Sequence, residues 1–297
     1  MATVAAFSIP AEEPARRAAP RRAWLRKRSI IPGFGLSFGF TLSWLTLIVL
    51  IPLSAVFIRA AGLGWDDFVA VAFSERAIAA YKVSFGTALA AALVNAVFGL
   101  LVAWVLVRYD FPGKGVVNAL VDLPFAMPTA VAGIALTALY APNGWVGQYL
   151  DPHGIRVAFT PIGIVVALIF IGMPFVVRSV EPVLAEVGQD VEEAAATLGA
   201  TRFQTLRHVI LPTILPALLT GFALALARGV GEYGSVIFIA GNMPFRSEIA
   251  PLLIVTQLEQ YSYAGATGIA AVMLVGSFLL LLFINLLQAW SRRRSLA

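Results

Sequence analysis

Six apolar stretches, each long enough to cross a bilayer, constrain this chain more than any other feature. Crossing about 30 Å of hydrocarbon takes around 20 apolar residues in a helix. A helix does so while satisfying every backbone hydrogen bond without water. Such stretches lie at about 35–58, 84–107, 119–140, 160–177, 213–239 and 264–290. The third contains Pro124 and Pro128, which a span tolerates when neighbouring helices take up the freed backbone groups. The expected fold class is therefore an all-α integral membrane protein with six transmembrane helices.

Composition closes off the soluble alternatives. Of 297 residues, 60% are hydrophobic and only 12% are charged. Soluble domains carry about 25% charge, and so few charges could not cover their surfaces. The absence of cysteine removes disulfide frameworks and thiolate metal sites. A net charge of +5 suits nucleic acid in principle, but the basic residues gather beside the apolar stretches, which is the membrane pattern.

That pattern also orients the chain. With both termini inside, the cytoplasmic segments hold 15 of the 21 Lys and Arg residues, among them Arg108, Lys114, Arg178, Arg202 and Arg207. The outer loops hold Arg59, Arg76, Lys82, Arg156 and Arg246, and Arg228 falls inside a span. Residues 1–33, rich in Ala, Pro and Arg, read as a basic tail on anionic lipid. A secretory signal fits less well, because the apolar stretch that follows is too long and lacks a small-residue cleavage site. The domain plan is thus a tail at 1–33, a six-helix domain at 34–290 and a short basic end at 291–297.

Between the fourth and fifth stretches lies DVEEAAATLGATRFQTLRHVILP, residues 190–212. Asp190 and Glu193 have capping-box spacing, and Glu193-Ala194-Ala195-Ala196 propagates a helix. Gly199 is placed to stop it in the left-handed region. Thr201 and Gln204 repeat the capping-box spacing and start a second helix toward Leu211-Pro212. The expectation is a helix–turn–helix at about 186–212, with Val191, Ala194, Ala195 and Leu198 on one face and Phe203, Leu206 and Ile210 on the next. A well-capped loop lying on lipid is the plainer reading. Adjacent spans need only a few linking residues, however, and an anionic leaflet repels an acidic loop. Docking on a protein partner fits better.

This stretch resembles the cytoplasmic signature of membrane subunits of bacterial ATP-driven (ABC) importers, E-A-A-x3-G-x9-I-x-L-P. Glu193-Ala194-Ala195, Gly199 and Leu211-Pro212 match it, with Val209 where the pattern has isoleucine. The resemblance covers nearly all of residues 34–290 and implies a type I importer permease fold. It implies that the short helix sits in a groove of an ATPase subunit and moves with it. The stretches DLPFAMPTAVAGIAL (122–136) and GEYGSVIFIAGNMPFRSEIAP (231–251) are similar to those of sulfate/thiosulfate permeases, within a tetrahedral-oxyanion group that includes molybdate importers. The implied partners are a second permease, two ATPase subunits carrying ATP and magnesium, and an external binding protein. The implied location is a bacterial inner membrane.

Arg228 and Glu232 lie four residues apart in the fifth stretch and are expected on one helix face. Intramembrane charges cost about 2.5–3.5 kcal/mol each, so they face a bundle interior or a wet cavity, usually in pairs. Gly229, Gly231 and Gly234 allow close approach or unwinding around them. Two readings stand. Arg228, Gly231, Glu232 and Tyr233 line or gate a translocation route, or Arg228 and Glu232 neutralise each other to lock the helix.

Other patterns carry less. Gly35-Leu36-Ser37-Phe38-Gly39 matches a nucleophile motif, but it opens a span, where G-x-x-x-G helix packing explains it. No nucleotide-binding G-x-x-x-x-G-K-[ST] loop occurs, so ATP hydrolysis is expected on a partner and no cofactor on this chain. His153 and His208 are isolated, so neither a metal site nor catalysis is expected. Trp104, Trp145 and Trp290 read as interfacial anchors, and Asp122 and Asn95 as helix-packing hydrogen-bonders. An ion-coupled transporter or channel is the competing class; it has no use for the acidic helix pair.

Overall fold

A computed structural model describes the backbone of residues 34–295, and the side chains up to Leu286 together with Gln288. The expected tail at 1–33 and the side chains of Trp290 and 292–294 lie outside what is described.

The described residues fall into two compact units, 34–52 and 53 onward. Helix α1, Phe34–Ala61, begins in the first unit, where none of its residues is buried. In the second unit follow α2 (Trp65–Ala72), α3 (Glu75–Arg108), α4 (Lys114–Ala126) and α5 (Thr129–Tyr140). Beyond an irregular stretch come α6 (Pro161–Glu186), α7 (Gln189–Thr197), α8 (Arg202–Val230), α9 (Ala250–Glu259) and α10 (Tyr263–Ser295). Among the described residues, α1, α3, α6, α8 and α10 are long and apolar enough to cross a membrane, and α4 with α5 supplies a sixth, broken span.

Of the two prolines expected to interrupt the third span, only Pro128 breaks it. α4 and α5 meet at 116° across Met127-Pro128. Met127 is extended, with φ −85° and ψ 136°, as a residue before proline prefers, and Pro128 has no amide to continue the ladder. Pro124 is absorbed inside α4 instead.

Other boundaries shift for local reasons. α3 starts at Glu75 rather than 84, because Ser74 Oγ accepts from the Ala77 amide at 3.3 Å and caps it. Arg76 in that first turn is held by Glu248 at 2.7 and 2.8 Å, so a charge that read as loop belongs to the helix. α6 continues past 177 to Glu186. The fifth stretch, expected to be helical to 239, leaves the helix at Val230 and resumes only as the turn Val236–Ile239.

The core is the packing of α3, α6 and α8 on one another. Small residues line it: Ala88, Ala91, Ala92 and Ala103 from α3, and Ala223 and Ala225 from α8, are all buried. Gly221 shows why. A Cβ there would lie 2.7 Å from Val176 Cα, so α8 touches the backbone of α6 itself. In lipid, where apolar burial drives little association, such close approach supplies the dispersion contact that holds helices together.

Candidate functional site

The insert is built by backbone hydrogen bonding at both of its turns. Gly188, not Asp190, is the N-cap of α7, and no side chain caps it. Asp190 lies inside the first turn with Glu192, where the positive end of the helix favours carboxylates. The C-terminal stop is as expected: Gly199 has φ +83°. There the Ala200 amide donates to the Ala195 carbonyl and the Gly199 amide to Ala196, both at 3.0 Å. That is the Schellman arrangement, which satisfies the last carbonyls of α7.

The Thr201 and Gln204 capping box also forms. The Gln204 amide donates to Thr201 Oγ1 at 3.3 Å, and the Thr201 amide to Gln204 Oε1 at 2.8 Å. What it starts differs from the expected second short helix. α8 runs unbroken from Arg202 to Val230, with a π turn over Leu206–Ile210 closed by the Leu211 amide on the Leu206 carbonyl. That wider turn precedes Pro212, whose missing amide interrupts the regular ladder. α1 uses the same device, a π turn over Thr46–Leu50 before Pro52.

The insert leaves apolar groups uncovered. Leu198 is 89% exposed and Phe203 67%, with Val191 and Leu206 exposed beside them. Glu193 and Ala194 are exposed, Ala195 and Leu211 half-buried, and Pro212 exposed. Exposed large apolar side chains next to a free carboxylate form a surface suited to a protein groove.

One guanidinium anchors α7, and reading by spacing missed it. Arg108, the last residue of α3, has a side chain only 9% exposed. It donates to the Val187 carbonyl at 2.7 Å, lies 2.8 Å from Glu192 Oε1 and sits 5.6 Å from the Trp104 ring centroid. Arg108 and Glu192 are far apart in sequence, so no helical spacing signals them. Arg178 likewise reaches α4, with Asp122 accepting at 2.6 and 2.8 Å, and pairs with Glu181 as well. Asp122 is thus the helix-packing group expected of it. Asn95 is not: it is buried, and its amide has no hydrogen-bond partner among the described residues.

The charged pair sits at the other end of α8. Arg228 is in the last helical turn, whereas Glu232 lies beyond the helix, so the two do not share a helix face as expected. They pair nonetheless, with Glu232 buried and Arg228 about a third exposed. Glu232 Oε1 also accepts from the Ser235 amide at 3.0 Å and from Ser235 Oγ at 3.1 Å. This local bonding competes with the helical ladder and draws the chain out of it. Gly231 is exposed and Tyr233 half-buried. The segment rests on the N-terminal end of α5: a Cβ on Gly234 would lie 2.2 Å from Thr129 Oγ1. From Gln204 to Arg228 the helical rise covers about 36 Å, so one rod joins the insert to this segment.

The family described as binding-protein-dependent transport system inner membrane component matches residues 95–296. The sulfate transport system permease protein CysT of Synechocystis sp. is 51% identical over 269 residues, covering 91% of this chain and 94% of its own. The protein of the same name from Escherichia coli is 48% identical over 267 residues, covering 90% and 96%. Among solved structures, a bacterial ABC transporter involved in import of the polysaccharide alginate aligns with a TM-score of 0.69 at 19% identity, covering 87% of this chain and 96% of that one. The methionine ABC transporter MetNI in an inward-facing form aligns with a TM-score of 0.51 at 20% identity, covering 73% and 99%.

Proposed function

The chain belongs to the family of binding-protein-dependent transport system inner membrane components, and from that membership we propose that it is the permease subunit of an ATP-driven importer of sulfate and thiosulfate. The observation that carries the substrate is its likeness, at about half identity over nine-tenths of its length, to permeases named for sulfate transport. Sulfate is fully ionised at neutral pH, so translocation needs no proton chemistry, only hydrogen-bond donors that release it readily.

The chain acts with partners. α7 docks in a groove of an ATPase subunit through Glu193, Ala194 and Ala195 and the exposed Val191 and Leu198, with Gly199 fixing the turn and Leu211-Pro212 beginning the membrane-crossing part of α8. ATP and magnesium sit on that partner, and this chain hydrolyses nothing. A second, similar permease completes the path, and an external binding protein delivers the anion. The excess of Lys and Arg in those segments supports a cytoplasmic side for both termini and α7, in a bacterial inner membrane. Closure of the ATPases moves α7, and α8 carries that movement as a rigid rod to Arg228, Gly231, Glu232 and Tyr233. These line or gate the route as the spans rock about it.

The test is reconstitution with the second permease, the two ATPases and the binding protein in vesicles, followed by labelled sulfate uptake. Uptake should require ATP and be competed by thiosulfate; competition by molybdate alone would reassign the substrate. Gly199→Asp and Glu193→Lys should abolish uptake and ATPase association with normal membrane insertion. Normal uptake in both variants overturns the docking.

A further inference from the structure

We infer that Arg108 is the positioning residue through which movement of α7 reaches α3, the helix at the centre of the packed core. The inference rests on the proposed docking of α7 on an ATPase. α7 is joined covalently to α6 through Val187 and Gly188, and to α8 through the turn at Gly199. Both of those helices pack along α3 in the core, but only the contact at Arg108 ties α7 itself to the end of α3. Among the described residues, the only ion pair between α7 and a spanning helix is that between Glu192 and Arg108.

Its geometry suits transmission better than simple anchoring. The same Nη2 donates to the Val187 carbonyl at 2.7 Å and lies 2.8 Å from Glu192 Oε1. One guanidinium therefore holds the end of α6 and the first turn of α7 together on the end of α3. Trp104, one turn back on α3, has its ring centroid 5.6 Å from the guanidinium carbon and adds a cation–π contact. Glu192 adjoins Glu193, the residue proposed to face the ATPase, so movement of the docked face reaches this carboxylate first.

The contact is also incomplete. Arg108 Nε is buried without an acceptor, and Glu192 Oε1, although within ion-pair distance, is not aligned with any donor as a hydrogen bond. A guanidinium and a carboxylate prefer a fork of two parallel bonds, and here the second prong is open. A small rotation of α7 that carries the carboxylate across Nε and Nη2 closes it. The pair is seen here in a loose arrangement, and the inferred stroke of α7 takes it to a tight one. Closing it draws the end of α3 along with α7. A lysine, with a point charge and no fork, cannot make that exchange.

The experiment uses the full complex of permeases, ATPases and binding protein in lipid vesicles, and reads sulfate transported per ATP hydrolysed. Arg108→Lys keeps the positive charge and Glu192→Gln keeps the side-chain shape, while each loses the fork, so assembly should survive. The expected result is normal co-purification of ATPase, ATP hydrolysis within about twofold of normal, and sulfate per ATP lowered at least about tenfold, the scale of a lost charge-assisted hydrogen bond. An unchanged ratio in both variants overturns the role of Arg108, as does a loss of assembly that lowers uptake and hydrolysis in step. A cysteine pair between α7 and the ATPase separates the two readings. Cross-linking with an unchanged ratio overturns Arg108 alone, whereas absence of cross-linking in the parent complex overturns the docking as well.

Discussion

Gly133 of α5 and Ser235 meet backbone to backbone: a Cβ built on Gly133 would lie 2.3 Å from the Ser235 carbonyl oxygen and 2.8 Å from its Cα. The broken third span is thereby fitted against the segment that carries Glu232 and Tyr233. Overpacking such a contact costs about 1–3 kcal/mol and displaces backbone. Gly133→Leu should lower sulfate uptake at least about tenfold, since a misplacement of an ångström is enough to disable a site. ATPase co-purification should be unchanged, because α7 lies at the opposite end of α8.

Gly199 separates conformation from chemistry. Its φ of +83° suits glycine and, less well, asparagine or aspartate, and costs other residues about 1–2 kcal/mol, so Gly199→Asp acts through the charge it adds to the docking face. Nothing lies within contact of its missing side chain. Gly199→Asn should therefore retain most ATPase affinity and Gly199→Val should lose about tenfold or more, measured by titrating ATPase onto the immobilised permease.

Glu232 serves two partners, and its variants sort them. Glu232→Gln keeps an oxygen for the Ser235 amide and hydroxyl, and loses only the charge opposite Arg228. Glu232→Ala leaves the Ser235 amide unpaired in a buried place, at a cost of about 1–3 kcal/mol. Thermal unfolding in detergent should rank parent, Gln variant and Ala variant in that descending order. Arg228→Ala should lower uptake more than assembly; equal loss of both marks the pair as purely structural.

Asn95 offers a polar-to-apolar change that costs little. Its amide is buried without a partner, and its Nδ2 lies 2.4 Å from where a Cβ on Gly172 would stand. Leucine has the same branched shape and no polar group to leave unsatisfied. Asn95→Leu should unfold within about 1 kcal/mol of the parent or above it. Gly172→Ala should be lower by about 1–3 kcal/mol, from overpacking against that side chain.

Reading by spacing succeeded where the governing interactions are local. The stop at Gly199 and the box at Thr201 and Gln204 each involve residues within one helical turn, and both stand in the structure. It failed at Asp190, where a local signal lost to the backbone path: Gly188 takes the cap because α6 runs on to Glu186 and leaves only Val187 and Gly188 as a turn. It failed again at Glu232, where helical periodicity ignored a side chain that bonds Ser235 and ends the helix. The pairs Arg108–Glu192, Arg76–Glu248 and Arg178–Asp122 had no signal in spacing at all.

By itself, the amino-acid sequence determined the membrane class, the places of the apolar crossings and the existence of a polar helical insert. Hydrophobic length and capping are properties of contiguous residues, and lipid leaves a helix little alternative. Only the tertiary structure decided which charges are paired, where the third crossing breaks and how far the fifth helix runs. Those outcomes depend on helices distant in the chain approaching closely enough for one side chain to satisfy, or displace, the backbone of another.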